Sequence, residues 1–127
     1  MKNGINYLFA FLGGGVGSAL RYWLSGFVYR FLSSTFPYGT LLVNLLGSLT
    51  IGILMGVFTE RFIANPSLRV FLVIGILGGF TTFSSFSYET ISLLKDGQTL
   101  AATANIGISI VCCLGATYLG LELGKLL

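Results

Sequence analysis

Ten consecutive residues, Gly78 to Ser87, read GGFTTFSSFS, so that two glycines, five hydroxyl side chains and three phenylalanines share one short stretch. Each hydroxyl can donate a hydrogen bond, and a phenyl ring carries a positive edge that an anion can approach where the face would repel it. Phe83 and Phe86 are three residues apart and become neighbours on one face if the segment after the glycines is helical. Paired glycines and threonines are poor helix-interior residues. A break at bilayer depth would free carbonyls that lipid cannot satisfy. Broken membrane helices commonly bind ions at such points, with loose carbonyls ligating cations and the half-helix N-terminus facing anions. Two plainer readings stay open here: a glycine packing contact with hydroxyls bonded back to their own turns, and phenylalanines that are apolar bulk.

Two more polar sets recur at helical spacing. Thr40, Asn44 and Ser48 fall four residues apart, as do Asn105, Ser109, Cys113 and Thr117, so each set follows a slowly winding stripe on an otherwise apolar helix. Asn44 needs a partner in lipid, which is either another helix or an anion accepting from its amide. A ladder of donors running through an apolar bundle is the kind of lining a narrow ion pathway has.

The elements that would position these residues follow from composition. The 127 residues are 54% hydrophobic and 9% charged, with a mean hydropathy of +0.90, against about 25% charged in soluble domains. Charge-free windows run from Asn3 to Leu20, Phe31 to Thr59, Val70 to Tyr88 and Gly97 to Leu121, each near or above the roughly 18–20 residues that span a bilayer. The sequence predicts an all-α membrane protein, a single domain over 1–127 of four transmembrane helices. The first covers Gly4 to about Leu24 with an amphipathic tail, SGFVYRFLSS, leading to Pro37; the second runs from about Tyr38 to Arg61, followed by an ANPS loop at Ala64 to Ser67. The third runs from near Leu68 to near Leu94, broken near Gly78–Thr82; KDGQ at Lys95 to Gln98 is a turn, and the fourth fills Thr99 to about Lys125.

Glycine takes 18 positions, many at small-xxx-small spacing: Gly13 with Gly17, Gly52 with Gly56, Gly120 with Gly124. Such spacing lets helices approach closely in lipid. GGGVGSA at Gly13 to Ala19 has no strand before it that would make it a dinucleotide loop. The apolar run after Lys2 reaches Arg21 without a clear small-residue cleavage site, so no cleaved signal is expected. The net charge is +3 with the basic residues scattered singly, which reads as helix-end anchoring at lipid headgroups and not as a nucleic-acid stripe. With no histidine and only Cys112 and Cys113, no metal-ligand cluster, disulfide framework or nucleophile–base pair is expected.

Basic residues also set orientation. Lys2, Arg61, Arg69 and Lys125 fall on the side of the termini, and Arg21, Arg30 and Lys95 on the other, four against three. This near-tie permits copies to insert both ways and pair head to tail.

GTLLVNLLGS in the second helix, GGFTTFSSFSYET in the third and GSALRY in the first, taken together, resemble the fluoride channel family Fluc, also called CrcB. The resemblance covers essentially the whole chain. It implies a fluoride-selective, non-enzymatic channel in the bacterial plasma (inner) membrane, exporting fluoride passively and relieving its toxicity. The implied assembly is an antiparallel dual-topology homodimer with two pores and a structural Na⁺ at its centre. By position, Asn44 is similar to the family's pore-lining amide, and Phe83 and Phe86 to its two fluoride-facing rings. Gly78 and Thr81 match the break residues whose carbonyls, from both subunits, hold Na⁺. Thr40 and Ser109 lie on the polar track, Arg21 resembles the basic residue of the aqueous vestibule, and Glu89 a carboxylate just after the phenylalanines. Cys113 stands where a relative has a serine, and a thiol is the weaker donor.

Two other classes of function compete. A small dual-topology cation or multidrug exporter would use an acidic residue deep in a helix, for which Glu89 is the one conceivable carrier. An accessory membrane subunit would use the glycines as its interface with a larger complex.

Overall fold

The computed structural model describes residues 2–61 and 65–127, with side chains placed for 4–59 and 65–127. The Ala64 end of the expected ANPS loop lies outside those residues. The described residues are helical apart from short turns, and they form four rods. The rods are α1 (Lys2–Val28), α2 (Tyr38–Arg61), a composite third rod over Pro66–Lys95, and α6 (Thr99–Leu126). The third rod starts as α3 (Pro66–Arg69), continues through a π-helical stretch (Val70–Leu77) into α4 (Gly78–Phe80), and resumes after a break as α5 (Phe83–Lys95).

Local chemistry accounts for the ends. Asn65 caps α3, its side chain accepting from the N–H groups of Ser67 and Leu68, with Pro66 at the first helical position. Thr82 caps α5 in the same way, its hydroxyl accepting from Ser85 N–H at 3.2 Å. At the other end of α5, Gly97 takes a positive φ of 79° and the Gln98 N–H reaches back to the Leu93 carbonyl at 2.8 Å. This is a Schellman closure that needs a residue without a Cβ penalty. Two sequence expectations change. The first helix runs on past Leu24 to Val28, absorbing the start of the amphipathic tail, with a turn from Tyr29 onward. The third rod carries a π-helical stretch that its featureless apolar run, VFLVIGIL, gave no reason to expect.

Three rods, α2, the third rod and α6, are long and apolar enough to cross a membrane. At 27 residues α1 is about 40 Å long, but its glycines, Asn6 and Arg21 dilute its apolar content. Two pairs of neighbours, α1 with the third rod and α2 with α6, meet through glycine. A Cβ at Gly13 or Gly17 of α1 would strike backbone of the third rod at Phe71 and Ile76, and one at Gly79 would strike Gly14. Gly52 and Gly56 of α2 bear in the same way on Thr117 and Leu121 of α6, with Gly120 and Gly124 returning the contact onto Leu49 and Ile53. Backbone-to-backbone approach of this kind replaces the hydrophobic drive that lipid removes. Among the described residues the buried apolar core is accordingly small, with Val28, Val43, Phe58, Leu77, Leu93 and Ala102. Most large apolar side chains instead face outward, as a lipid-solvated surface requires.

Gly120→Val should therefore prise α2 from α6 and cost on the order of 1–3 kcal/mol or more, whereas Gly107→Ala, with nothing within 4 Å of its new Cβ, should leave stability unchanged. Thermal unfolding of the two variants in lipid nanodiscs, compared with the parent, distinguishes these outcomes.

Candidate functional site

The glycines of GGFTTFSSFS do not themselves leave the helix, since Gly78 keeps helical dihedrals of −62° and −39°. The residues that do are Thr81 (φ −84°, ψ 157°) and Thr82 (φ −152°, ψ 117°), both extended. A continuous helix would send the Thr82 N–H to the Gly78 carbonyl. Here Asn44 of α2 takes it: Thr82 N–H donates to Asn44 Oδ1 at 2.8 Å, and Asn44 Nδ2 donates to the Thr82 carbonyl at 2.9 Å. The amide replaces both backbone partners that the break removes. Arg21 adds a third such bond, its Nε donating to the Gly79 carbonyl at 3.0 Å from two turns inside α1, so this arginine is not a helix-end anchor. Gly47 of α2 leaves room for the Thr81 methyl, which a Cβ there would strike.

This arrangement frees oxygens on the other side of the break. Among the described residues no donor reaches the Gly78 or Thr81 carbonyl, and Gly78 is exposed. Neutral carbonyl oxygens suit a hard cation. Among the described residues no group of three or more His, Cys, Asp or Glu side chains assembles.

A cleft of about 500 Å³ opens beside the break, bounded by α2, the third rod and α6. It gathers Asn44, Gly78, Thr81, Phe83, Phe86, Ser109 and Cys113, together with Ser48 and Thr82, among apolar neighbours such as Ile51, Leu77 and Leu114. Phe83 and Phe86 sit with ring centroids 5.4 Å apart and planes inclined at 46°. Phe83 is 76% exposed, so one side of the cleft is uncovered. The two polar stripes face each other across this region, and Thr117 Oγ1 donates to the Ser48 carbonyl at 3.1 Å.

Thr40 and Glu89 lie outside the cleft and form a second cluster. Thr40 Oγ1 donates to Glu89 Oε2 at 3.0 Å, while the buried Oε1 has no partner among the described residues. Nearby, the Gly39 N–H donates to the Tyr29 hydroxyl at 3.0 Å. Burial raises the Tyr29 phenol above its ordinary pKa, opposed by the Gly39 bond and reinforced by the Glu89 charge. Sequence reasoning did not single out Gly47 or Thr90. The signal for Thr90 was its spacing, four residues after Phe86, whose carbonyl its hydroxyl bonds at 2.7 Å.

A broken helix with its amide clamp thus lies beside paired phenylalanines and facing hydroxyl stripes. The family model described as CrcB-like protein, Camphor Resistance (CrcB), matches residues 8–121. The chain belongs to the CrcB family. A relative from Geotalea uraniireducens, named fluoride-specific ion channel FluC, is 47% identical over 114 residues, covering 90% of this chain and 92% of that protein. Proteins of the same name from Magnetococcus marinus and Methylocella silvestris are 46% and 44% identical over 116 and 119 residues, each across 91% of this chain. With three membrane-capable rods, this CrcB-family chain is a multi-pass membrane protein.

The clamp makes a prediction. Asn44→Leu keeps similar bulk but strands both the N–H and the carbonyl of Thr82, at about 1–3 kcal/mol for each group left unsatisfied. Thermal unfolding in nanodiscs should show that loss, and an unchanged midpoint would mean that Asn44 does not hold the break.

Proposed function

We propose that this chain is a fluoride-selective channel, not an enzyme, that lets fluoride leave a bacterial cell passively across the plasma membrane and so relieves fluoride toxicity. The observation that carries the reading is the relationship to proteins named fluoride-specific ion channel, which extends over nine tenths of both chains. The cleft supports it chemically. Ring edges of Phe83 and Phe86 offer weak positive potential, and Asn44, Ser109 and Cys113 offer donors in an apolar surround that discriminates by how readily an ion gives up water. Thr40 and Glu89 continue the path beyond the cleft, and Arg21 draws anions toward its mouth. Passive conduction is favoured because the sequence has no nucleotide-binding loop.

The assembly belongs to the same proposal. α1 crosses the bilayer as a fourth span, and two chains pair antiparallel with two pores and a structural Na⁺ between them. The length of α1, the four-to-three split of basic residues and the uncovered side of the cleft at Phe83 support this reading. The Gly78 and Thr81 carbonyls of both copies would hold the sodium, whose charge offsets the cost of bringing an anion into a low-dielectric interior.

Liposomes containing only this protein should release fluoride down its gradient, with no ATP and with protons clamped; flux that depends on either would overturn the reading. In dimers of normal elution, Phe83→Leu and Phe86→Leu each keep apolar bulk but remove the ring edge and should lower flux by about tenfold or more. Full flux in both would sink the aromatic-edge path while leaving the channel assignment standing. Elemental analysis of dialysed protein should find a single sodium per pair of chains, and tags on wild-type copies should report both orientations.

A further inference from the structure

The most deeply buried polar side chain among the described residues does not itself line the cleft. Asn105 of α6 is 1% exposed. Its Nδ2 donates to Thr90 Oγ1 at 2.9 Å, Thr90 Oγ1 donates to the Phe86 carbonyl at 2.7 Å, and Ser109 Oγ donates to Asn105 Oδ1 at 3.4 Å. The bonds form one directed chain from Ser109 through Asn105 and Thr90 to Phe86. Its two ends are cleft-lining residues on different helices, and its middle is buried, Thr90 being 5% exposed.

Donor and acceptor inventory fixes the direction of the chain. An amide nitrogen can only donate, so Thr90 Oγ1 must accept from Asn105 and has its own proton free for the Phe86 carbonyl. The amide oxygen is thereby turned toward Ser109, and the Ser109 proton points away from the cleft, at a separation near the outer limit of a hydrogen bond. With the amide turned over, Thr90 would have to release Phe86 to donate to the amide oxygen, and Ser109 would receive a proton in place of giving one. The observed arrangement keeps all three groups engaged, while the weakest link is the one at the cleft.

We infer that Asn105 is a positioning residue for the ion path: anchored to α5 through Thr90, it holds the Ser109 hydroxyl through its long bond as a donor that an anion in the cleft can claim at small cost. This rests on the fluoride-channel reading above. A close, strong acceptor at position 105 would compete with the anion for the same proton. No acceptor at all would leave the hydroxyl free to bond back to its own helix, the usual fate of a membrane serine.

The test is a double-variant cycle on fluoride efflux from liposomes, using Ser109→Ala, Asn105→Leu and their combination, each shown to elute as the parent does. Ser109→Ala should slow flux by about tenfold, the equivalent of one hydrogen bond. Asn105→Leu should slow it comparably, and the combination should be no slower than Ser109→Ala alone, because a residue acting through Ser109 has nothing left to act on. Asn105→Asp, which tightens the grip on the Ser109 proton and gives up the Thr90 donor, should raise the fluoride concentration at half-maximal flux. Where Asn105→Leu does not assemble, Asn105→Leu with Thr90→Val takes its place, since removing both partners of a buried bond spares the fold. Multiplied effects in the combination, or parental flux in a folded Asn105→Leu or Asn105→Leu/Thr90→Val protein, would overturn the inference. Parental flux in Ser109→Ala would overturn it by removing Ser109 from the path, while fluoride release by the parent protein would still stand.

Discussion

A backbone that leaves its helix inside a membrane must find new partners, and in this chain that obligation falls on a single amide. Asn44 accepts from and donates to the same residue, Thr82. Without it both the N–H and the carbonyl of Thr82 would lie unpaired at the break, beside Phe83 and Phe86. The loose carbonyls and the paired rings thus lie on either side of one pair of hydrogen bonds. Arg21, on Gly79, secures the near side of the same joint.

The rest of the architecture serves that joint by being stiff around it. Gly13 and Gly17 lock α1 onto the first half of the third rod, and Gly52, Gly56, Gly120 and Gly124 lock α2 onto α6. Close backbone contact leaves few alternative packings, so Asn44 on α2 and Ser109 on α6 hold their places relative to α5. Polar side chains in the interior are then used on one another or on backbone: Thr40 on Glu89, Asn105 on Thr90, Thr117 on the Ser48 carbonyl. Glu89 is the exception, with one oxygen bonded and the other buried and unengaged.

Most of this was legible in the sequence, in proportion to how far local chemistry determines it. The stripes at Thr40, Asn44, Ser48 and at Asn105, Ser109, Cys113, Thr117 were visible because helical spacing is a property of residue order. The break was visible because lipid penalises what Gly78 to Thr82 would do. Sequence could say that Asn44 needed a partner, but not that the partner was backbone 38 residues away, since that is decided by how helices dock. The extension of α1 to Val28 was hidden because Trp23 through Phe31 suit an interfacial tail as well as a helix end. The π-helical stretch was hidden altogether, since Val70 to Leu77 carries no residue that favours it.

The small apolar core has a thermodynamic consequence of its own. The heat-capacity change of unfolding comes from apolar surface newly exposed to water. Here the large apolar side chains already face outward in the folded chain, toward acyl chains that would still cover them if the helices merely came apart. Separation of the rods within the bilayer therefore carries little heat-capacity change, and its free energy varies almost linearly with temperature, without the low-temperature downturn that limits water-soluble domains. Cooling does not weaken such a fold in the way it weakens one built on hydration entropy.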